Sequence, residues 1–309
     1  MITDKVLGAY AAVGQLDLDE QASWYSRSTA DWGLNTFEIP LFAGVPLAPQ
    51  LADTFAANSS ALVVTLVAQW ATKGQENPAY GLASLDEEAR QEALLDVQSV
   101  IQQCQTLSRR GIAIRALEVH TGQGSGKAIP HAISFFSSLC EVSEVLSVAL
   151  PDAELTVEIA DNREPDYAIA FPGAKKACLT REQVMETVEM VNDVEVGGQP
   201  VSVVLNWGRL LVNGDEPHAV LGEVMDSPVP LGGVILSGAG NTPDGFADSH
   251  NTHLDPESGF TLDDARRCVG TLGASADASF IGMKGSTKSA TALTAAEVLV
   301  AEAEFLNSV

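Results

Sequence analysis

The sequence predicts a (β/α)8 TIM barrel, and three features of the chain carry this prediction. Eight apolar segments of strand length alternate with eight helix-like segments over 309 residues, at about 39 residues for each unit, as in a barrel with long loops. Most of the apolar segments are continuous runs, such as VSVVLN and GVILS, typical of parallel strands buried on both faces. The first turn, AVGQLDLDE, lacks the GxGxxG pattern of the alternative, an open doubly wound sheet. We therefore expect residues 1–309 to form one barrel domain.

Each predicted strand is a short apolar run bounded by polar or glycine-containing turns. In chain order, the strands are expected at residues 5–13, 35–40, 61–69, 112–120, 154–160, 201–206, 233–237 and 278–284. All of these runs are shorter than the roughly 20 apolar residues that a membrane-spanning helix needs. No linker-like stretch separates them, so the alternation indicates a single sheet.

Helical periodicity fills the intervals between the strands. The helices are expected at residues 18–30, 48–57, 85–110, 130–148, 181–192, 216–226, 262–271 and 290–306. Ser84, Thr180 and Thr261 each stand just before such a segment and are predicted as N-caps, because their side chains accept hydrogen bonds from the first free backbone N–H groups. Gly111 follows the longest segment and is predicted to end that helix.

The chain is strongly acidic, with a formal net charge of −24 and a pI near 4.3. Such a charge repels nucleic acids and anionic membranes, so we expect neither as a partner. The four cysteines lie far apart without CxxC spacing, which is typical of buried free thiols in a reducing compartment. The first residues lack the basic start and long apolar core of a signal peptide. We therefore expect a cytoplasmic protein, present as a monomer or homodimer.

Polar side chains stand at the carboxyl ends of the predicted strands, where barrels of this type build their active sites. Glu38, Glu118 and Glu158 lie within apolar strands, and buried carboxylates are costly unless they are paired or bind a metal. Glu118 and His120 are two residues apart and therefore share one face of their strand. Asn206 and Lys284 are the last residues of the sixth and eighth strands, and Arg209 follows the sixth. Asp248, His250 and His253 lie in the polar loop after the seventh.

These candidates also have structural explanations. Glu38 would pair with a lysine or arginine of the barrel wall, and Lys284 would be a satisfied core cation. Glu118 and His120 would form a hydrogen-bonded pair. Arg209 would hold a loop carboxylate such as Asp161, and Asn206 would cap the segment that follows it.

Two tryptophans follow strands and are candidate substrate-binding residues. Trp70 comes after the third predicted strand and Trp207 after the sixth. An indole ring at a strand end can stack on the C–H face of a sugar, although core packing explains both rings equally well.

At these residues the chain resembles a known superfamily. The segments GLNTFEIPL, GLASLDEEAR and ELTVEIAD are similar to those of the xylose-isomerase-like TIM barrels. Within that superfamily, VHTG, LNWGR and SGAG resemble the DUF4862 proteins, a group for which the resemblance implies no activity. The superfamily includes sugar isomerases, ketose 3-epimerases, inosose dehydratases and nucleases of the endonuclease IV type. The resemblance implies a polar pocket at the strand ends, commonly with a divalent metal held by Glu, Asp, His and Glu.

The sequence departs from that metal-binding quartet. Glu158 matches the glutamate of strand five, but Asn206 replaces the usual aspartate and Lys284 stands where the second glutamate belongs. A cation in place of an anionic ligand weakens the binding of a divalent ion. A metal therefore remains an open possibility, with Glu158, Asp248 and His250 as the expected ligands, joined by Glu118 or His120. Mn²⁺, Mg²⁺ or Zn²⁺ would suit such a mixed oxygen and nitrogen site.

These residues favour a sugar isomerase or epimerase that moves a proton beside a carbonyl. This chemistry needs a carboxylate base, an acid and a cation to stabilise the enediolate. Glu158, Glu118, His120 and Lys284 are the expected catalytic residues, and Glu38, Trp70, Asn206, Trp207, Arg209 and His253 are expected to bind the carbohydrate. Two alternatives remain open: a hydrolase or lyase in which Arg209 and Lys284 grip an anionic sugar derivative, and a non-catalytic sugar-binding barrel.

Overall fold

The computed structural model describes residues 4–122, 130–161, 178–194, 198–243, 245–274, 278–287 and 294–308. Eight parallel strands close into a barrel in the order β1-β10-β7-β6-β5-β4-β3-β2, which confirms the predicted fold class. The two other strands, β8 and β9, form an antiparallel hairpin after β7. The strands are β1 (Asp4–Leu7), β2 (Thr36–Pro40), β3 (Ala61–Thr65), β4 (Ala113–Val119), β5 (Glu154–Ile159), β6 (Val201–Asn206), β7 (Leu231–Leu236), β8 (Gly238–Thr242), β9 (Gly245–Asn251) and β10 (Phe280–Met283).

Helices connect consecutive barrel strands and cover the outside of the barrel, as this fold requires. They are α1 (Tyr10–Val13), α2 (Leu18–Trp32), α3 (Pro49–Ala57), α4 (Val67–Glu76), α5 (Glu87–Ser108), α6 (Ala132–Ala149), α7 (Arg181–Asp193), α8 (Trp207–Val212), α9 (Pro217–Met225), α10 (Leu262–Ala274) and α11 (Ala295–Ser308). Residues 290–293 of the last predicted helix lie outside the described residues. The closed barrel leaves the carboxyl ends of its eight strands at one mouth.

Two predicted strands were too long at their carboxyl ends. The first ends at Leu7 and is followed by the helix α1, and the third ends at Thr65 and is followed by α4. Both errors have one cause, because a buried helical turn and a buried strand are equally apolar over four or five residues. The correction matters for function, since it places Tyr10 and Trp70 on helices that begin at the mouth of the barrel.

Local signals in the sequence were mostly reliable. Thr180 accepts a hydrogen bond from the backbone N–H of Gln183 and caps α7, and Thr261 accepts one from Asp264. Gly111 has a φ of 86°, the left-handed conformation that favours glycine at a helix end. The predicted cap Ser84 was wrong, because the side chain of Asp86, two residues closer to α5, accepts the bonds from its first N–H groups.

A cluster of six apolar side chains, here called the apolar plug, fills the barrel interior below the carboxyl ends of the strands. Its six members are fully buried: Val6, Val63, Ala116, Val204, Ile235 and Phe280. The aromatic ring of Phe280 fills space that Gly233 leaves empty, since a Cβ built on Gly233 would lie 2.4 Å from the Phe280 ring. The plug forms the apolar floor on which the polar residues of the mouth rest.

Helix α6 is long and apolar enough to cross a membrane by length and composition, although the apolar runs of the predicted strands are not. In the structure it packs between α5 and α7 on the outside of the barrel. Phe135, Leu139 and Val142 on its inner face are buried in the main hydrophobic core. A helix that packs against the core of a barrel has the same length and apolar composition.

Candidate active site

The polar residues of the mouth share the interior face of the barrel with the apolar plug. Side chains two residues apart on a strand point to the same face, so Glu118 follows Ala116 and Asn206 follows Val204 into the interior. Glu38 pairs in register with Val63, and Glu158 with Val204, which places them on the same face. The side chains of Glu38, Glu118, His120, Glu158, Asn206 and Lys284 are at most 2% exposed. The structure thus brings together six of the residues that the sequence predicted.

Lys284 and Glu38 form a buried ion pair on one side of the mouth. The Lys284 Nζ donates a hydrogen bond of 2.8 Å to Glu38 Oε1 and lies 4.8 Å from the ring centre of Tyr10. The Tyr10 hydroxyl donates to the same Glu38 oxygen at 3.2 Å. Burial opposes the charge of Lys284, yet the Glu38 carboxylate, with smaller contributions from its neighbours, holds the pKa of Lys284 well above its usual value. Lys284 is therefore a cation at any physiological pH.

On the other side of the mouth, Glu158 is held by two neighbours. His120 Nε2 is hydrogen-bonded to Glu158 Oε2, and Asn206 Nδ2 donates to Glu158 Oε1 at 2.6 Å. Glu118 Oε1 lies 4.0 Å from the same nitrogen of His120, and Glu118 Oε2 is a buried oxygen with no hydrogen-bond partner among the residues that the structure describes. Both oxygens of Glu158 are therefore fixed in position, whereas one oxygen of Glu118 is unused.

The two glutamates have opposite acidities. Burial raises the pKa of Glu118 well above its usual value, and the negative charges of Glu158 and Glu38 add to this effect. Burial also opposes the ionisation of Glu158, but the charge and hydrogen bond of His120, followed by Lys284 and Arg209, hold the pKa of Glu158 well below its usual value. The protonated form is thus favoured at Glu118 and the carboxylate at Glu158, the kind of difference that acid–base chemistry uses.

Glu118, His120 and Glu158 together could hold a metal ion. Each offers one ligand atom, and these atoms all lie within 4.8 Å of one another. Two carboxylates and an imidazole form the mixed donor set that suits Zn²⁺ or Mn²⁺. The unpartnered oxygen of Glu118 is a further sign of fit, because a buried carboxylate oxygen without a partner is costly. The donor set thus fits a divalent ion.

The metal ligands predicted from the loop are not part of this group. Arg209 pairs with Asp161 at 2.8 Å and also with Asp248, so Asp248 is committed to a cation. His250 Nδ1 is hydrogen-bonded to Ser237 Oγ at 2.7 Å. Burial opposes the charge of Arg209, but Asp161 and Asp248 hold its pKa well above the usual value. Glu118, His120 and Glu158 are therefore the group that the structure offers as metal ligands, and coordination by Asp248 and His250 stays a prediction.

The structure separates the remaining predicted residues. The Trp70 ring contacts His120 edge to face, with ring centres 5.0 Å apart, so it lines the site. Trp207 instead packs on His218 and Phe260, and His253 lies beside Phe305. Substrate binding by these side chains stays a prediction.

Two residues near the mouth were missed by sequence reasoning. Tyr10 was assigned to the interior of a strand and its contact with Glu38 and Lys284 depends on α1, which the apolar pattern did not reveal. Ser237 was noted only as the end of the seventh strand. Its distance of two residues from Ile235 is a signal that could have placed it on the interior face.

Comparisons with known proteins agree with this architecture. Residues 6–298 match the family model described as "Domain of unknown function (DUF4862)". No curated protein sequence matches the chain. Among solved structures, the IolI protein with a bound zinc atom is similar with a TM-score of 0.62 and 13% identity, covering 98% of this chain and 96% of that one.

Two sugar epimerases have similar structures. L-ribulose 3-epimerase gives a TM-score of 0.57 at 15% identity, covering 93% of this chain and 82% of that one. D-allulose 3-epimerase from Methylomonas sp., in complex with D-allulose, gives 0.60 at 10% identity, covering 99% and 96%. At these identities the similarity establishes a shared barrel fold.

Proposed function

The chain belongs to the DUF4862 family, and from that premise we propose that it is a sugar isomerase or epimerase that moves a proton at a carbon beside a carbonyl. One observation carries the proposal: a carboxylic acid, a carboxylate and an ammonium group converge inside one buried mouth, at Glu118, Glu158 and Lys284. The sugar epimerases among the structural neighbours support a carbohydrate as the substrate.

Glu158 is the proposed base. It is ionised, and Asn206 and His120 hold its two oxygens, so the carboxylate is oriented before the substrate arrives. A fixed, desolvated carboxylate is an effective acceptor for a proton from carbon, and general base catalysis typically contributes 10²- to 10⁴-fold to the rate. In the proposed reaction, Glu158 removes the proton from the carbon next to the sugar carbonyl.

Lys284 and Glu118 are proposed to stabilise the charge that develops on the substrate oxygens. Lys284 stays protonated beside Glu38, and an ammonium group in a buried site is a strong electrostatic partner for an oxyanion. Without a bound metal, Glu118 as a neutral acid donates a hydrogen bond to the same enediolate. A divalent ion would instead be held by Glu118 as a carboxylate, together with His120 and Glu158, and would supply Lewis acid polarisation of the carbonyl.

The observed ion pairs disfavour the alternative of an anionic sugar derivative. That alternative needs Arg209 to be available to a carboxylate or phosphate of the substrate. In the part of the chain that the structure describes, Arg209 is bound by two aspartates, Asp161 and Asp248. An uncharged sugar is therefore the better candidate.

The proposal is tested with wild type and with Glu158→Gln on a panel of free aldoses and ketoses, including D-allulose and L-ribulose. We expect wild type to convert one of them to its isomer or epimer, and Glu158→Gln to be slower by at least about 10²-fold. Glu189→Gln, at an exposed position of α7, is the matched control and should keep full activity. Full turnover by Glu158→Gln would refute the assigned base, and no turnover of any free sugar by wild type would refute the proposed reaction.

A further inference from the structure

His250 has a strained backbone. Its φ is 55°, in the left-handed region that residues other than glycine adopt only rarely. Neighbouring groups hold it there: the backbone N–H of Ser286 donates to the His250 carbonyl at 2.8 Å, and the Ser286 hydroxyl donates to the carbonyl of Ser249 at 2.8 Å. Left-handed conformations of residues other than glycine concentrate at functional positions.

The strained conformation places the imidazole between a hydroxyl and a carboxylate. Nδ1 is 2.7 Å from Ser237 Oγ, and Nε2 is 3.7 Å from Asp248 Oδ1. Asp248 is in turn fixed by its ion pair with Arg209. The His250 side chain is 21% exposed, whereas Ser237 is 1% exposed. The imidazole thus connects solvent with a buried hydroxyl.

Ser237 lies where it can reach a substrate in the mouth. It follows Ile235 of the apolar plug by two residues and therefore shares the interior face of the barrel. Strand β6 separates β7 from β5, which carries Glu158, so the two backbones are about 10 Å apart at two strand spacings. In the proposed arrangement, the flat enediolate lies between the Glu158 and Ser237 side chains.

We propose that Ser237 is the second catalytic residue of an epimerisation, with His250 supplying its proton, an inference that rests on the proposed function. Glu158 takes the proton from carbon as the C–H bond breaks, and the electron pair enters the enediolate. The Ser237 O–H bond then breaks as a new C–H bond forms on the opposite face. The proton on His250 Nδ1 passes to the serine oxygen, and the imidazolium becomes a neutral imidazole with its Nε2–H toward Asp248. Proton exchange with water then returns Glu158 to the carboxylate and His250 to the imidazolium.

This relay separates two measurable events, because removal of a proton from carbon needs only Glu158, whereas inversion needs Ser237 and His250. The experiment follows D-allulose and L-ribulose in D₂O by NMR, recording deuterium entering the starting sugar and the formation of the epimer. We expect His250→Asn to keep the deuterium exchange within a factor of a few and to lose epimer formation by about 10²-fold. Asparagine tolerates the left-handed backbone, so this variant should fold.

Ser237→Ala should behave in the same way, and Ser237→Thr, which keeps a hydroxyl, should retain most of the epimer formation. Glu158→Gln should lose both events. His131→Gln, at a half-buried histidine before α6, is the matched control and should keep both. Thermal melts of all variants establish that they are folded.

Three results would overturn the inference. If His250→Asn and Ser237→Ala form the epimer at the wild-type rate, no proton passes through them. If both variants lose exchange and turnover together while remaining folded, the pair supports the whole site rather than one face. If wild type exchanges neither sugar, the proposed function fails and the relay fails with it, a pattern distinct from the other two.

Discussion

Lys284 and Glu38 meet at a distance of 2.8 Å although 246 residues separate them in the chain. Glu38 lies on β2 and Lys284 directly follows β10, the two neighbours of β1, and Gly8, the first residue after β1, lies between them. A Cβ built on Gly8 would be 2.8 Å from Lys284 Cβ and 3.1 Å from Glu38 Oε2. The pair therefore bridges the seam at which the barrel closes, across a residue that has no side chain.

Replacing Lys284 by methionine should destabilise the protein. Glu38 would remain buried without its cation, and breaking a buried pair in this way costs about 3–5 kcal/mol. The double variant Lys284→Met with Glu38→Gln should recover much of the loss, because no unpaired charge is left. Chemical denaturation of the single and double variants measures the coupling. Equal stabilities of the single and double variants would contradict a direct interaction.

Replacing Gly8 by alanine should disturb the same pair by steric contact. Its Cβ has no room between Lys284 and Glu38, so we expect a loss of about 1–3 kcal/mol in the free energy of unfolding. Gly222→Ala is the control, since a Cβ there meets nothing within 4 Å on helix α9, and it should stabilise by roughly 0.5–1 kcal/mol. The prediction fails if the two alanine variants shift stability in the same direction.

A divalent ion should bind at Glu118, His120 and Glu158. Saturating Zn²⁺ or Mn²⁺ should raise the melting temperature of chelator-treated protein, by a stabilisation of about 2.7 kcal/mol at a hundredfold excess over the dissociation constant. His120→Ala removes one of the three ligands and should abolish most of this shift, whereas His131→Ala should not. Elemental analysis would add the stoichiometry. An unchanged shift in His120→Ala would place the ion elsewhere.

Glu302 should make stability depend on pH. It is fully buried on α11 beside Gly285, and burial raises the pKa of its carboxyl well above the usual value. The proton is therefore held more tightly in the folded state, so its stabilising effect is complete below the unfolded pKa of about 4.3 and is lost as pH rises through the folded pKa. Glu302→Gln cannot lose that proton.

The advantage of Glu302→Gln over wild type in melting temperature should consequently grow as pH increases above about 4.3. Glu304→Gln, an exposed neighbour on α11, should run parallel to wild type across the series. Parallel curves for Glu302→Gln would show that Glu302 titrates in the folded state as it does in the unfolded chain.

The barrel was predictable because its strands are continuous apolar runs. The polar mouth was predictable because burying a carboxylate within such a run costs free energy unless the carboxylate is paired or binds a metal. The structural explanations for the two cations were also correct, since Lys284 pairs with Glu38 and Arg209 pairs with Asp161. Asn206 likewise caps α8, while its amide also holds Glu158. A structural contact and a position in the site are therefore compatible.

Other features depend on contacts that no local pattern records. The hairpin β8–β9 has no apolar alternation, so its sequence was interpreted as a polar loop, and the position of His250 follows from its bonds to Ser237 and Ser286. The ion pair of Asp248 with Arg209, 39 residues earlier in the chain, is likewise not recorded by any local pattern. One domain for residues 1–309, a cytoplasmic location and a monomer or homodimer stay predictions.

The ring of Phe280 occupies the space beside Gly233 on the adjacent strand, so the side-chain volumes at these two positions depend on each other. Any side chain at 233 would need a smaller residue at 280, and a smaller residue at 280 alone would leave a void in the barrel floor. Selection therefore acts on the combined side-chain volume at positions 233 and 280 rather than on the volume at either position alone. Across the homologues of this chain, we expect positions 233 and 280 to covary, with a gain in size at one matched by a reduction at the other.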